Sequence, residues 1–166
     1  LDWVRIAALV KQAIPGCYFL LVGDGPLRDK VTALLHELDL LQYTIMTGLR
    51  RDIPQLFSAM DIFLITSLWE GLPRVIPEAM LAGVPPVASA VDGSMEIIQN
   101  GVTGYICPPG KIQIFAARCI KLLSNTLERQ KMAEAAKQFA SQHFDLEHMI
   151  TQIDLLYSQL LNSRGL

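Results

Sequence analysis

A chain of 166 residues is of ordinary single-domain size and long enough to bury a sizeable core, so two independent domains are not expected. Its 14 Lys and Arg stand against 16 Asp and Glu, a formal net charge of −2, and no basic run occurs, which disfavours nucleic acid and other polyanions as partners. The mean hydropathy is +0.33, yet the apolar runs are far shorter than the roughly 18 residues of a membrane span, which points instead to a sheet buried on both faces.

The opening stretch, "LDWVRIAALVKQA", is an amphipathic helix without a signal-peptide pattern and reads as a cut through a longer sequence. Val4, Ile6, Leu9, Val10 and Ala13 recur at helical spacing up to Pro15 and Gly16. "CYFLLVG" (17–23) predicts a strand, "GDGP" (23–26) a tight turn, and "PLRDKVTALLHELDL" (26–40) a helix opened by Pro26, with Val31, Leu34, Leu35 and Leu38 on one face. "YTIMTG" (43–48) predicts a second strand, "IPQLFSAM" (53–60) a short helix and "DIFLITS" (61–67) a third strand. "PEAMLAG" (77–83) predicts a helix between Pro77 and Gly83, "PPVASA" (85–90) a fourth strand and "TGYIC" (103–107) a fifth. From residue 110 onward three helical segments follow, among them 127–144 and 145–162. In the last, Leu146, Met149, Ile150, Ile153, Leu156, Tyr157 and Leu160 form an apolar stripe that suits either its own domain or another one.

Short apolar strands alternating with helices predict a Rossmann-like α/β fold, a doubly wound parallel sheet with helices on both faces and a helical carboxyl terminus. Ligands in such sheets bind at the carboxyl ends of the strands, expected here at Gly23, near Thr47, near Ser67 and near Ser89. The glycine-rich turns fall there: "GDGP" with Gly23 and Gly25, "TGLRRD" (47–52) with Gly48, "SLWEGLP" (67–73) and "AVDGS" (90–94). Cys17, Cys107 and Cys119 show no C-x-x-C or Cys/His metal spacing and read as core residues of a reduced, intracellular protein, with neither a disulfide nor a metal site expected.

One stretch carries the chemistry. Between Ile53 and Gly110 the acids are Asp61, Glu70, Glu78, Asp92 and Glu96 and the only base is Arg74, so the region is expected to be largely buried. A buried carboxylate is costly without a hydrogen-bonding partner, in the protein or in a ligand. Glu78, just after Pro77, fits the first turn of a helix, where a carboxylate is stabilised by free N–H groups. Glu70 instead precedes Gly71 at the mouth of the expected crevice. Carboxylates accept hydrogen bonds from vicinal hydroxyls, and the backbone N–H groups of Gly71, Leu72 and Arg74 suit an anionic group between the two acids. Acids for hydroxyls and amides for phosphate together describe a nucleotide sugar. Arg50 and Arg51 read either as contacts to a phosphate or base or as a solvated loop pair. Asp92 reads as a turn residue, Met46, Met60, Met80 and Met95 as core fillers, and His36, His143 and His148 carry no recognisable chemistry.

The Glu70 to Glu78 spacing in "EGLPRVIPE" (70–78) resembles the paired glutamates of the retaining nucleotide-sugar glycosyltransferases of the group 1, or family 4, type with the GT-B fold. "GDGPLR" (23–28), "TGLRRDIPQLFSAMDIFLITS" (47–67), "EAMLAGVPPVAS" (78–89) and "NGVTGYICPPG" (100–110) extend the likeness over nearly the whole chain. The resemblance implies that residues 1–166 are the carboxyl-terminal, donor-binding domain, truncated at its amino-terminal side. It implies that Glu70 lies beside the transferred sugar in a catalytic role and that Glu78 binds donor ribose. Gly71, Leu72, Arg74, Gly23, Gly25, Gly48 and Arg50 would complete the donor site. The substrate would be a UDP-sugar or GDP-sugar, with no metal or other cofactor. An acceptor sugar or lipid would be met through an amino-terminal domain absent from this chain, and peripheral membrane association of the full protein fits that division, in the cytoplasm. Two departures stand out. Asp92 and Gly93 replace the family's usual Gly-Gly pair, and the chain begins downstream of the family's first donor-domain strand and of the loop whose Arg and Lys clamp the diphosphate. A noncatalytic nucleotide-sugar module, a sugar phosphorylase and a nucleotide-sugar epimerase are the alternative expectations.

Overall fold

The computed structural model describes residues 1–144 and 146–164. In chain order the elements are α1 (Asp2–Ala13), β1 (Phe19–Val22), α2 (Arg28–Glu37), a 3-10 turn (Leu41–Tyr43), β2 (Thr44–Gly48), α3 (Ile53–Phe57), β3 (Phe63–Ile65), α4 (Val75–Leu81), β4 (Pro86–Ser89), α5 (Asp92–Ile97), β5 (Tyr105–Cys107), α6 (Ile112–Ser124), α7 (Thr126–His143) and α8 (Leu146–Arg164). The α/β class and the parallel strands follow the expectation. Most strands and the helix α3 are shorter than expected, and two helix starts shift for a local reason. α2 opens at Arg28 rather than Pro26 because "GDGP" closes its own turn, with the Arg28 N–H donating to Gly25 carbonyl oxygen at 3.0 Å. α4 opens at Val75 rather than at Pro77, which occupies its third position.

The strands pair in parallel as two sheets: β1 with β2, and β3-β4-β5 with β4 in the middle. Leu64 lies opposite Val87, and Val87 opposite Tyr105. All four β4 residues are buried, and its alternating side chains feed two cores. Val87 joins Ile6 and Val10 of α1 and Phe115, Cys119 and Leu122 of α6. Ala88 faces the opposite way, toward Ile76 and Met80 of α4, Ile97 of α5, and Ala136 and Ala140 of α7. Helices therefore cover both faces, and the apolar spacing read from the sequence is the spacing that fills these cores. At the α6–α7 corner Asn125 caps α7, its side-chain oxygen accepting from the Glu128 N–H at 3.0 Å.

Three expectations are corrected, and a fourth that stood open between two readings is narrowed to one. Asp92 is no turn residue: it opens α5, where a carboxylate is favoured in the first turn of a helix. Met95 lies on the outer side of α5 and is 53% exposed, whereas Met80 is fully buried and Met46 and Met60 half-buried. The stretch 53–110 is buried only in part, since residues 68, 69, 71, 72, 78 and 92 are exposed. The apolar stripe of α8 is not buried against this chain: Met149, Ile150, Ile153, Leu156, Tyr157 and Leu160 are all exposed, while the Leu146 and His148 side chains lie outside the described residues. Among the described residues no helix is long and apolar enough to cross a membrane.

Cys107 and Cys119 are buried in the α6 core as free thiols. Burial pushes the Cys107 thiol up to about 11 and the Cys119 thiol up to about 12. Because the thiolate is the nucleophile, neither group offers one at neutral pH. Ellman's reagent at pH 8, followed by mass spectrometry of the labelled peptides, is expected to leave Cys107 and Cys119 of the folded protein unmodified until denaturant is added. Immediate labelling of both would contradict their packing.

Candidate functional site

The candidate site is built on the connections that leave the carboxyl ends of the strands. After β1, the Gly23 N–H donates to the Gly48 carbonyl oxygen at 2.9 Å, stitching the first turn to the end of β2. Both glycines hold positive φ, +117° and +67°, which side-chain-bearing residues adopt at a cost. Asp24 accepts from the Gly25 N–H at 2.8 Å and pairs with Arg28 at 2.9 Å, so the turn satisfies itself. Arg50, in the next loop, binds both oxygens of Asp52 through its Nε and Nη2, the Nε contact at 2.7 Å. The hydrogen bond to Arg50 holds the Asp52 carboxyl below the usual carboxylate range. Arg50 thus sits as one half of an exposed loop ion pair.

The β3–α4 connection holds the two glutamates. Ser67, just past β3, donates through Oγ to Glu70 Oε1 at 2.7 Å, which orients a half-buried carboxylate in the loop. Glu78 lies one turn into α4. Its N–H donates to the Arg74 carbonyl oxygen at 3.2 Å, so it is already past the free amides of the helix start. Its side chain makes no capping bond and no ion pair among the described residues, and it is exposed. The reading of Glu78 as a buried acid is therefore corrected. The reason is its position on α4, where Ile76, Pro77, Ala79 and Met80 face inward and Arg74, Glu78 and Leu81 face out. Between the two acids the N–H groups of Gly71, Leu72 and Arg74 donate to nothing among the described residues. Three free donors flanked by two carboxylates form a site with both signs of partner on a single loop.

α5 supports this loop from beneath. A Cβ at Gly93 would sit 1.8 Å from the Gly71 carbonyl oxygen and 2.9 Å from Leu72 Cα, so only glycine permits the backbones to touch. The sequence carried a signal for this contact, the glycine of "AVDGS" four residues past β4, but spacing alone does not say which loop it meets. Trp69, 81% exposed beside Glu70, and Leu49, 83% exposed after β2, were likewise not anticipated. Gly23, Leu49, Arg50, Ser67 and Val75 border one apolar cavity, which brings the turns after β1 and β2 and the β3–α4 connection to a common rim. Among the described residues no group of three or more His, Cys, Asp or Glu comes together as a metal site.

Residues 3–139 match the family described as glycosyl transferases group 1. The Vi polysaccharide biosynthesis protein VipC/TviE of Salmonella typhi is 31% identical over 151 residues, 89% of this chain and 26% of that protein. The crystal structure of Anabaena Alr3699/HepE in complex with UDP and glucose superimposes with a TM-score of 0.87 at 34% identity, covering 95% of this chain and 44% of that one. The carboxyl-terminal domain of a group 1 protein, LpcC of Francisella tularensis, superimposes with a TM-score of 0.81 at 21% identity, over 87% of this chain and 78% of that one. The chain thus spans about a quarter of the length of the first relative and under half of the second. On the family match, the chain belongs to the group 1 glycosyl transferases.

Proposed function

We propose that this chain is the donor-binding half of a retaining glycosyltransferase, which moves a sugar from a UDP-sugar or GDP-sugar to an acceptor hydroxyl held by a domain outside these residues. The observation that carries this reading is the β3–α4 loop. Three free N–H groups, on Gly71, Leu72 and Arg74, lie between a braced glutamate and an exposed one. In this reading the Glu78 carboxylate accepts hydrogen bonds from both ribose hydroxyls, a two-point contact open to a group that has no side-chain partner among the described residues. The free amides take the sugar or the diphosphate. Gly23 and Arg50 border the cavity beside this loop, with Gly25 and Gly48 proposed to complete the donor site from the adjoining turns, and Arg50 is available to the nucleotide only by leaving Asp52. Support also comes from Anabaena Alr3699/HepE, solved with UDP and glucose.

The chemistry suits the arrangement. Departure of the nucleotide leaves positive charge on the sugar ring and builds negative charge on the diphosphate. A carboxylate fixed near the ring and amides fixed near the phosphates stabilise both without reorganising. Glu70 fills the first role because the Ser67 hydroxyl holds it in place before any ligand arrives. No metal or cofactor is required of these residues.

In the full-length protein Glu78→Gln is expected to weaken UDP or GDP binding by about 1–3 kcal/mol, the loss of a charge-assisted pair of hydrogen bonds. Being exposed and without a side-chain partner among the described residues, Glu78 is expected to contribute little to stability. Calorimetry that found nucleotide affinity unchanged and the melting temperature lowered would assign it a purely structural role.

The 166-residue chain alone is expected to transfer no sugar and to bind donor in the high micromolar to millimolar range, since only the loop amides and the glutamate pair contribute. Assays of the isolated chain beside the full protein with a panel of UDP- and GDP-sugars check this. Transfer by the isolated chain at the full rate would contradict the division into two halves.

A further inference from the structure

The chain holds two tryptophans, and they occupy opposite environments. Trp3, on α1, is half-buried and meets the Phe19 ring edge-on, with the centroids 6.0 Å apart and the planes at 77°. Trp69 is 81% exposed and, among the described residues, has no ring contact, no cation over its face and no acceptor for its indole N–H. Burial of a tryptophan removes about 150–250 Å² of surface from water, so one left in solvent calls for a partner outside the fold.

The local structure holds Trp69 outward. Past β3 the chain bends at Leu68, and the Ser67 hydroxyl reaches across the bend to Glu70 Oε1 at 2.7 Å. That bond closes a span of four residues with Leu68 and Trp69 at its two central positions, both exposed. Central positions of a tight bend ordinarily carry Gly, Pro, Asn, Asp or Ser, which suit solvent. Here they carry a leucine and an indole. The same bond fixes the indole relative to the carboxylate: Trp69 and Glu70 are consecutive, with Cα atoms about 3.8 Å apart. One Glu70 oxygen is committed to Ser67, and the other, Oε2, accepts no hydrogen bond among the described residues.

A flat apolar surface beside a carboxylate with an open oxygen suits one class of molecule. A pyranose carries C–H groups on its faces and hydroxyls around its edge. The edge donates to a carboxylate, and the C–H face packs on the electron-rich face of an aromatic ring. A hydrocarbon chain would suit the indole, yet it would strip water from the Glu70 carboxylate and supply no hydrogen bond in return. A phosphate would meet that carboxylate with like charge. A nucleobase also stacks on aromatic rings, but the base lies beyond the ribose, and the ribose belongs at Glu78, eight residues after Glu70. The ring within reach of both Trp69 and Glu70 is the transferred sugar.

We propose that the Trp69 indole packs against the C–H face of the transferred pyranose while Glu70 takes its hydroxyl edge, the two side chains being held in relation by the Ser67 bond. This assignment rests on the reading of the β3–α4 loop as the donor site and adds a sugar-recognising residue to it. The loop then divides its work along the chain. Trp69 and Glu70 select the sugar, and Glu78 holds the nucleotide by its ribose.

Calorimetry on the full-length protein with UDP, GDP, UDP-glucose, UDP-galactose, UDP-N-acetylglucosamine and GDP-mannose tests the assignment. Trp69→Leu keeps apolar bulk and removes the ring. It is expected to weaken the tightest-binding nucleotide sugar about tenfold and to change the affinity of the matching bare nucleotide by less than about twofold. Trp69→Phe, which keeps a flat ring, is expected to retain most of the sugar affinity. Equal weakening of nucleotide and nucleotide sugar by Trp69→Leu would overturn the proposal, because the indole would then serve the base or the loop as a whole. Unchanged sugar affinity in Trp69→Leu, or a loss in Trp69→Phe as large as in Trp69→Leu, would overturn it too. So would nucleotide binding by the wild-type protein without binding of any of the four nucleotide sugars. A wild-type protein that bound no nucleotide at all would overturn the donor reading itself, and this proposal with it.

Discussion

Parallel strands cannot be joined by tight turns, so after each strand the chain must cross back over the sheet before the next one begins. In this protein that requirement sets nearly everything else. It makes helices of the intervening stretches and assigns them to the two faces that Val87 and Ala88 of β4 open on opposite sides. It also gathers the loops that leave β3 and β4 at the carboxyl end of the same sheet. There the β3–α4 loop rests on α5 through the contact of Gly93 with the Gly71 backbone. The geometry of the loop is thus set by two packed helices and one glycine rather than by its own few residues.

The two glutamates occupy different physical states. Glu70 is half-buried and held by Ser67, as suits a group that must keep its place near a reacting centre. Glu78 stands exposed in the first turn of α4, on its outer face, with no hydrogen bond or ion pair to its side chain among the described residues. An exposed carboxylate is no liability to folding and gains most from a ligand rich in hydroxyls. The amides between them lack acceptors because the loop turns through Pro73 before α4 begins, leaving Gly71, Leu72 and Arg74 without carbonyl partners. A loop of this kind keeps its hydrogen-bonding capacity for something outside the fold.

Much of the fold was legible in the sequence because the strands, such as half-buried "FLLV" and fully buried "PVAS", are short, largely apolar runs between turn residues, and because the helices α1 and α6 repeat their apolar positions every three or four residues. The glutamate spacing marked the candidate loop for the same reason: charge is scarce there. Other features depend on three-dimensional neighbours. The exposure of Glu78 and Met95 follows from which side of a short helix meets the core, and six or seven residues are too few for a periodic pattern to reveal it. The stretch around Asp92 looked like a turn because Asp, Gly and Ser favour turns, yet the same residues also open helices. Arg50 has its partner two residues away, a local pairing that residue type alone does not announce. The separation of β1 from β3 depends on which strands neighbour one another, and the order of strands along the chain does not contain it.

The central claim is that the β3–α4 loop receives the nucleotide sugar, and a crystal structure of the full-length protein soaked with UDP or GDP tests it most directly. The account predicts ribose hydroxyls within about 3.2 Å of the Glu78 carboxylate and a diphosphate or sugar oxygen on the N–H groups of Gly71, Leu72 or Arg74. A nucleotide bound at full occupancy elsewhere, with Glu78 still facing solvent and those three amides unengaged, would contradict it.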